Sequence, residues 1–207
     1  MVAQDRPRLL LATHNGHKRR EFERLLEVSP TGGWEIDVLP DDVQLPPEDG
    51  VTFVENALGK ARAAALATGR ISIADDSGIA AAALGGAPGV RSARYAGEQA
   101  SDAENLAKLL REVPAGSALE YVCVIAYVDP RGEQERVFEG RCAGCMAGEP
   151  RGEGGFGYDP VFLPEDVPPG YAERPGVTMA ELSDEQKDAL SHRGRAARAL
   201  LEWLRRG

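Results

Sequence analysis

At 207 residues and 43% hydrophobic composition, the chain can bury one sizeable core, or two lobes sharing a sheet. A formal net charge of −9 argues against any general electrostatic grip on DNA or RNA, so an anionic ligand needs local cations or a bound metal at its site. No apolar run reaches the ~20 residues that cross a bilayer. The N-terminal MVAQDRPRLLLAT has no signal-peptide anatomy, so the expected location is cytoplasmic, with neither nucleic acid nor membrane as partner.

In chain order, Arg8 to Thr13 reads as a buried first strand, and His14-Asn15-Gly16 as a turn. Lys18 to Glu27 follows as a helix with Phe22, Leu25 and Leu26 on one face. Trp34 to Leu39 is a second strand, and Pro40 to Gly50 a proline- and acid-rich loop. Thr52 to Thr68 is an alanine-rich helix stopped by Gly69. Ile71 to Ala74 reads as a short buried strand that ends on Asp75 and Asp76.

Beyond the GGAPG turn, the capping box Ser101-Asp102-Ala103-Glu104 opens a helix that runs to Glu112. Leu119 to Val128 and Glu135 to Met146 are two long strands joined by the turn Asp129-Pro130-Arg131-Gly132. A glycine-rich loop, GEGGFGYDP, precedes a short strand. Thr178 to Glu181 is another capping box, and Ser183 to Arg206 is helical with an interruption expected near Ser191 to Gly194. The expected class is α/β: an elongated mixed sheet with flanking helices, forming two lobes around a central cleft within one domain, 1–207.

Cys123, Cys142 and Cys145 are too few, and odd in number, for a disulfide framework. Cys142 and Cys145 form a C-x-x-C with no second pair and no nearby histidine, which favours small buried thiols over zinc. Trp34 and Trp203 read as packing residues, and His17 as solvent-exposed.

Five stretches carry possible chemistry. ATHNGHK, 12 to 18, joins a strand to a helix, where N–H groups favour phosphate and Thr13, Asn15 and Lys18 can face one anion. It lacks P-loop spacing, and an ordinary turn is the alternative. Asp75 and Asp76 are adjacent like charges that need a metal, a cation or a solvated turn. Successive strand residues face opposite ways, so only one of the two meets a given metal directly. Glu48 and Asp49 in PPEDG either complete a metal site or form a solvated acidic loop. In GGFGYDP, Phe156 and Tyr158 either stack on a nucleobase or tuck into the core. Lys187 and His192 are five residues apart, about 140° around a continuous helix, so the helix breaks or the ligand is long. A solvated basic face is the alternative there. Lys60 either reaches a phosphate or extends to water.

Taken together and in this order, Thr13-x-Asn15-x-x-Lys18, TFVENA at 52 to 57, ADDSG, GGAPGVRSARYAG, GGFGYDP and SHRGRA resemble the inosine triphosphate pyrophosphatase family over nearly the whole chain. Those enzymes hydrolyse deaminated purine nucleoside triphosphates. The resemblance implies that Thr13, His14, Asn15, Gly16, His17 and Lys18 bind the triphosphate, with Lys60 a further phosphate contact. It implies that Asp76 is the general base and a Mg²⁺ ligand, with Asp75 and Glu48 as further metal-binding acids. Ser77 then touches substrate. Phe156, Gly157, Tyr158 and Asp159 line the base pocket, and Lys187, His192 and Arg193 contact the nucleotide and read its base. A homodimer is implied as well. His14 and His17 depart from the glycines of many relatives, while Thr13, Asn15 and Lys18 are kept.

The implied activity is hydrolysis of ITP, dITP and XTP to the monophosphate and pyrophosphate, with Mg²⁺ as cofactor. The alternatives are a pyrophosphatase for other modified or pyrimidine triphosphates, or a nucleotide sensor without turnover.

Overall fold

The computed structural model describes residues 8–27, 34–132, 134–167 and 176–206. The segment before Arg8, which bears on the absence of a signal peptide, lies outside them. Six strands form one sheet in the order β2-β1-β3-β4-β5-β6. They are β1 (Arg8–Leu11), β2 (Glu35–Val38), β3 (Ser72–Ala81), β4 (Ala118–Asp129), β5 (Gln134–Met146) and β6 (Phe162–Pro164). β1 runs parallel to β2 and β3, with Leu10 opposite Ser72, whereas β5 and β6 are antiparallel, so the sheet is mixed as expected. The helices are α1 (Gly16–Glu27), α2 (Phe53–Thr68), α3 (Asp102–Glu112), α4 (Asp184–Leu190) and α5 (His192–Leu204). No helix among the described residues is long and apolar enough to cross a membrane.

The chain divides into two compact units. The first takes Met1–Asp76, Val124–Glu139 and Ala196–Gly207; the second takes Ser77–Cys123 and Gly140–Arg195. Each has its own core. In the first, Leu10, Ala12, Ala74, Val124 and Ala126 pack with Ala57, Ala61, Ala64 and Ala65. In the second, Ile79, Leu109, Tyr121, Met146, Val161 and Phe162 pack with Met179 and Leu190.

α2 shows how sequence places polar groups at the site. Thr52 caps its N-terminus by accepting a hydrogen bond from Glu55 N at 3.2 Å, and Gly69 ends it in the left-handed region at φ 67°. Small alanines at i, i+4 spacing let the helix lie close to its neighbours. The same buried side carries Asn56 and Lys60, one turn apart.

β3 corrects the sequence reading. The strand does not end on the aspartates but continues to Ala81, which places Asp75 and Asp76 in its middle. Ser77, Gly78 and Ala80 have weak strand propensity, but sheet partners override propensity on a buried strand. The interruption of the C-terminal helix is present. Ser191 is extended between α4 and α5, and its Oγ accepts a hydrogen bond from Gly194 N at 3.1 Å. A Cβ at Gly194 would lie 1.9 Å from the Asp188 carbonyl oxygen, so this junction admits only glycine. Cys123 and Cys142 are buried, Cys145 is half-buried, and all three are free thiols.

Candidate active site

In the first unit, a carboxylate–lysine cluster is assembled where β1, α1, α2 and β3 meet. Asp75 and Asp76 are 1% and 3% exposed, so neither is a solvated turn residue. They take different partners, as alternation along a strand requires. Asp75 Oδ2 lies 3.0 Å from Lys18 Nζ on α1, and Asp76 Oδ2 accepts a 2.9 Å hydrogen bond from Asn56 Nδ2 on α2. Lys60 is also buried; its Nζ donates to the Asp75 carbonyl oxygen at 2.6 Å and to Glu48 Oε1 in a short contact. Lys60 therefore neither extends to water nor stands alone. Glu48 is half-buried by that pairing, whereas Asp49 is exposed.

Electrostatics set Asp76 apart from Lys60. Burial, and then the nearby Glu48 carboxylate, raise its pKa above the ordinary value of 3.8, more than Asn56, Lys60 and Lys18 lower it. Burial pulls Lys60 the other way, but Asp75, Glu48 and Asp76 outweigh it and hold its pKa above 10.5. A raised carboxyl beside a firmly charged lysine is the pattern expected of a proton-accepting site.

The phosphate-loop candidates sit at the start of α1. Asn15 Oδ1 accepts from His17 N at 2.9 Å and Lys18 N at 3.1 Å, and Thr13 Oγ1 accepts from Asn15 N at 3.2 Å. Asn15 thus caps the helix, and Thr13 fixes the turn. His14, Asn15, Gly16 and His17 are exposed, and the His17 ring contacts Arg20 at 2.9 Å. What the turn offers an anion is its exposed backbone, the Thr13 hydroxyl and the Lys18 ammonium.

A second cluster lies in the other unit, around Asp159. Its Oδ2 accepts from Phe156 N at 2.8 Å and from Lys187 Nζ at 2.7 Å, and its Oδ1 accepts from Tyr121 Oη at 3.2 Å. Asp159 and Lys187 form a buried ion pair, their side chains 3% and 4% exposed. A Cβ at Gly155 would lie 2.1 Å from Asp159 Oδ2, which explains the glycine beneath this carboxylate. The Phe156 ring is half-buried and faces two cations, Lys187 Nζ at 5.0 Å and Arg193 Cζ at 5.6 Å from its centroid. Arg193, 2% exposed, donates from Nη2 to Ser77 Oγ at 2.8 Å. His192 is buried and stacked on Tyr121. Lys187, Ser191, His192 and Arg193 are all buried, so the solvated basic face is excluded.

Tyr158 points away from this group. It is buried, its hydroxyl donates to the Ser92 carbonyl at 2.7 Å, and burial raises its pKa. Gly157 N donates to Asp102 Oδ2 at 3.2 Å.

Two residues at these clusters had not been singled out from sequence. Asn56 carried a signal, as a polar residue one helical turn before Lys60 in an alanine-rich helix. Tyr121 carried none, because an apolar strand gives no hint of which aromatic is used by a carboxylate.

Among the described residues, no group of three or more His, Cys, Asp or Glu side chains is poised to hold a metal. Asp76 and Glu48 nevertheless offer hard carboxylate oxygens close enough to repel one another. A cation between them would relieve that repulsion, and Mg²⁺ needs only one or two carboxylates when substrate phosphates supply the rest. These are the hard oxygen donors that a divalent cation shared with a phosphate ligand takes.

The architecture and the clusters define a mixed-sheet α/β protein with a buried carboxylate–lysine centre in one unit and an aromatic–cation cluster in the other. Comparison with known proteins makes this specific. The sequence model of the Ham1 family matches residues 9–203, and the chain belongs to that family. It is 48% identical over 203 residues to the dITP/XTP pyrophosphatase of Mycolicibacterium paratuberculosis, covering 95% of each chain. It is 43% identical over 209 residues to the dITP/XTP pyrophosphatase of Photorhabdus laumondii, covering 96% of this chain and 98% of that one. A HAM1 protein from Coxiella burnetii superposes with a TM-score of 0.79 at 38% identity, covering 97% of this chain and all of that one.

Proposed function

We propose that the protein hydrolyses non-standard purine nucleoside triphosphates (ITP, dITP and XTP) to the nucleoside monophosphate and pyrophosphate, and so cleans the nucleotide pool. The observation that carries this reading is the Asp76 centre: a buried carboxyl with a raised pKa, held by Asn56 and accompanied by Lys18 and Lys60. The names of close, full-length relatives give two of these substrates, dITP and XTP.

In this mechanism Asp76 accepts a proton from the attacking water. Its raised pKa makes it a better base than an ordinary aspartate. The water oxygen bonds to the α-phosphorus, the bond from that phosphorus to the α–β bridging oxygen breaks, and pyrophosphate departs with the electron pair. Lys18 and Lys60 stabilise the charge that develops on the leaving group. Thr13 and the backbone of His14, Asn15, Gly16 and His17 hold the phosphate chain. Mg²⁺, held by Asp76 and Glu48 with Asp75 beside them, would neutralise phosphate charge when bound.

Base selection is assigned to the second cluster. Hypoxanthine and xanthine carry a carbonyl at C6 where adenine carries an amine. Donors from Lys187, His192 and Arg193 favour the carbonyl and leave adenine's amine facing a donor, a mismatch that can cost ~10⁴ in specificity. Phe156 provides the stacking face. Ser77, Gly157 and Asp159 complete the set, with Asp159 orienting Lys187, while Tyr158 is turned into the core and takes no part. A cytoplasmic homodimer completes the proposal.

The test is product analysis with Mg²⁺ across ITP, XTP, ATP, GTP, CTP and UTP, with pyrophosphate assayed separately from phosphate. The expected result is monophosphate plus pyrophosphate from ITP and XTP while ATP and GTP survive. Release of phosphate alone places the attack at another phosphorus. Binding of ITP without turnover makes the protein a sensor, and turnover of pyrimidine triphosphates redirects the substrate class.

A further inference from the structure

Tyr121 of β4 lies against two of the residues assigned to the base, His192 and Asp159, but has no assigned role itself. The residue is 6% exposed and its ring packs against two others. His192 stacks on it with centroids 4.5 Å apart and planes 8° from parallel, and Phe162 packs against it at 4.4 Å. Its hydroxyl donates to Asp159 Oδ1 at 3.2 Å, while Asp159 Oδ2 takes Lys187 Nζ and Phe156 N.

One side chain thus fixes the plane of the His192 ring and one edge of the carboxylate that aims Lys187. A phenylalanine would supply the same packing. The hydroxyl is what links the stack to the ion pair, and a buried hydroxyl requires a partner such as Asp159. Without that donor, Asp159 is free to rotate about the two groups on Oδ2. The Lys187 ammonium then loses its fixed direction, although its charge remains compensated.

We propose that Tyr121 is a positioning residue for purine recognition: its ring orients His192 and its hydroxyl orients the Asp159–Lys187 pair. This rests on the proposed function and deepens it. Tyr121 acts on how the base is read, and not on the phosphate chemistry at Asp76.

The experiment compares wild type, Tyr121→Phe and Tyr121→Leu for KM and kcat on ITP, for the ITP-to-ATP ratio of kcat/KM, and for inhibition by inorganic triphosphate, which has no base. Thermal melting checks that each variant is folded. Tyr121→Phe keeps the stack and loses the hydroxyl. It is expected to raise KM for ITP roughly tenfold, the scale of a hydrogen bond to a charged group, and to lower the ITP-to-ATP ratio. Inhibition by inorganic triphosphate is expected to stay within about twofold on that same scale. Tyr121→Leu, if folded, is expected to lose more selectivity; if it does not fold, Tyr121→Phe decides alone. An active wild type whose Tyr121→Phe variant keeps its KM and its ratio overturns the proposal by itself. Equal weakening of ITP and inorganic triphosphate also overturns it, because the residue would then be packing the unit as a whole. A wild type that leaves ITP and XTP intact overturns the reading of the function, and this proposal with it.

Discussion

Asp76 and Asp159 are both aspartates, both under 4% exposed and both accompanied by lysines, yet their surroundings differ in kind. Asp159 accepts from a backbone N–H, an ammonium and a phenol, one unit's loop, helix and strand each contributing a donor. Asp76 takes an amide hydrogen bond from Asn56, but it shares its neighbourhood with Glu48, and burial and that second carboxylate raise its pKa. The first arrangement closes a carboxylate and uses it to aim a lysine. The second keeps a carboxylate at a free-energy disadvantage in its charged form, which suits a group that must take up a proton. Burial and a nearby lysine therefore do not define a role. What distinguishes the two is whether donors or a like charge face the oxygens.

The contrast breaks most completely at Asp76. Asp76→Asn is expected to lower kcat by roughly 10²- to 10⁴-fold, the range of a general base, with the fold intact by circular dichroism. Stability is expected to move the other way. A carboxyl whose folded pKa lies above its unfolded value favours the folded state fully below the unfolded pKa, and that contribution is lost as pH rises through the folded pKa. In chelator-treated protein, Asp76→Asn should therefore melt above wild type at neutral pH. The difference should shrink as pH falls toward the ordinary aspartate range. A variant that keeps full turnover removes Asp76 as the base; a variant less stable than wild type at neutral pH removes the electrostatic account of it.

At Asp159 the expected effect falls on stability. Asp159→Asn leaves the Lys187 ammonium buried without its counter-charge, a loss of about 3–5 kcal/mol, which for a chain of this size lowers Tm by roughly 10 °C. Replacing both partners, as Asp159→Leu with Lys187→Met, is expected to recover much of that Tm while base selectivity stays lost. If the single and the double variant melt alike, the pair is not the buried unit its geometry indicates.

Much of this was legible in the chain, for identifiable reasons. The sheet and helices followed from apolar periodicity, and the break at Ser191 from the angular mismatch between Lys187 and His192. Asp75 and Asp76 drew attention because two adjacent like charges after an apolar run require an explanation. β3 was read too short because Ser77, Gly78 and Ala80 do not look like a strand, and only sheet neighbours make them one. The fate of Tyr158 was not readable, since local sequence gives two aromatics in one glycine loop and not which turns inward. Nor was the use of Tyr121, whose partners Asp159 and His192 lie 38 and 71 residues away along the chain.

The smallest expected effect tests how finely Asp76 is held. Asn56 is gripped at both ends, its Oδ1 accepting from Gly50 N at 2.8 Å and its Nδ2 donating to Asp76. A Cβ at Gly50 would lie 2.6 Å from that Oδ1 and 2.9 Å from Glu55 Cβ, so Gly50→Ala forces Asn56 or the loop to shift without replacing any charged group. Overpacking of this kind costs about 1–3 kcal/mol. A displacement of a few tenths of an ångström at Asp76 should lower kcat by roughly tenfold, well short of the ~10² attached to a full ångström. The loop also carries Glu48, so the route of the effect has to be separated. On an Asn56→Ala background the clash with the amide is gone and only the 2.9 Å approach to Glu55 Cβ remains, so Gly50→Ala should then cost less than it does alone. Additive losses in the double variant would instead mean that Gly50 acts through the loop and Glu48, and that Asp76 is held by the strand itself.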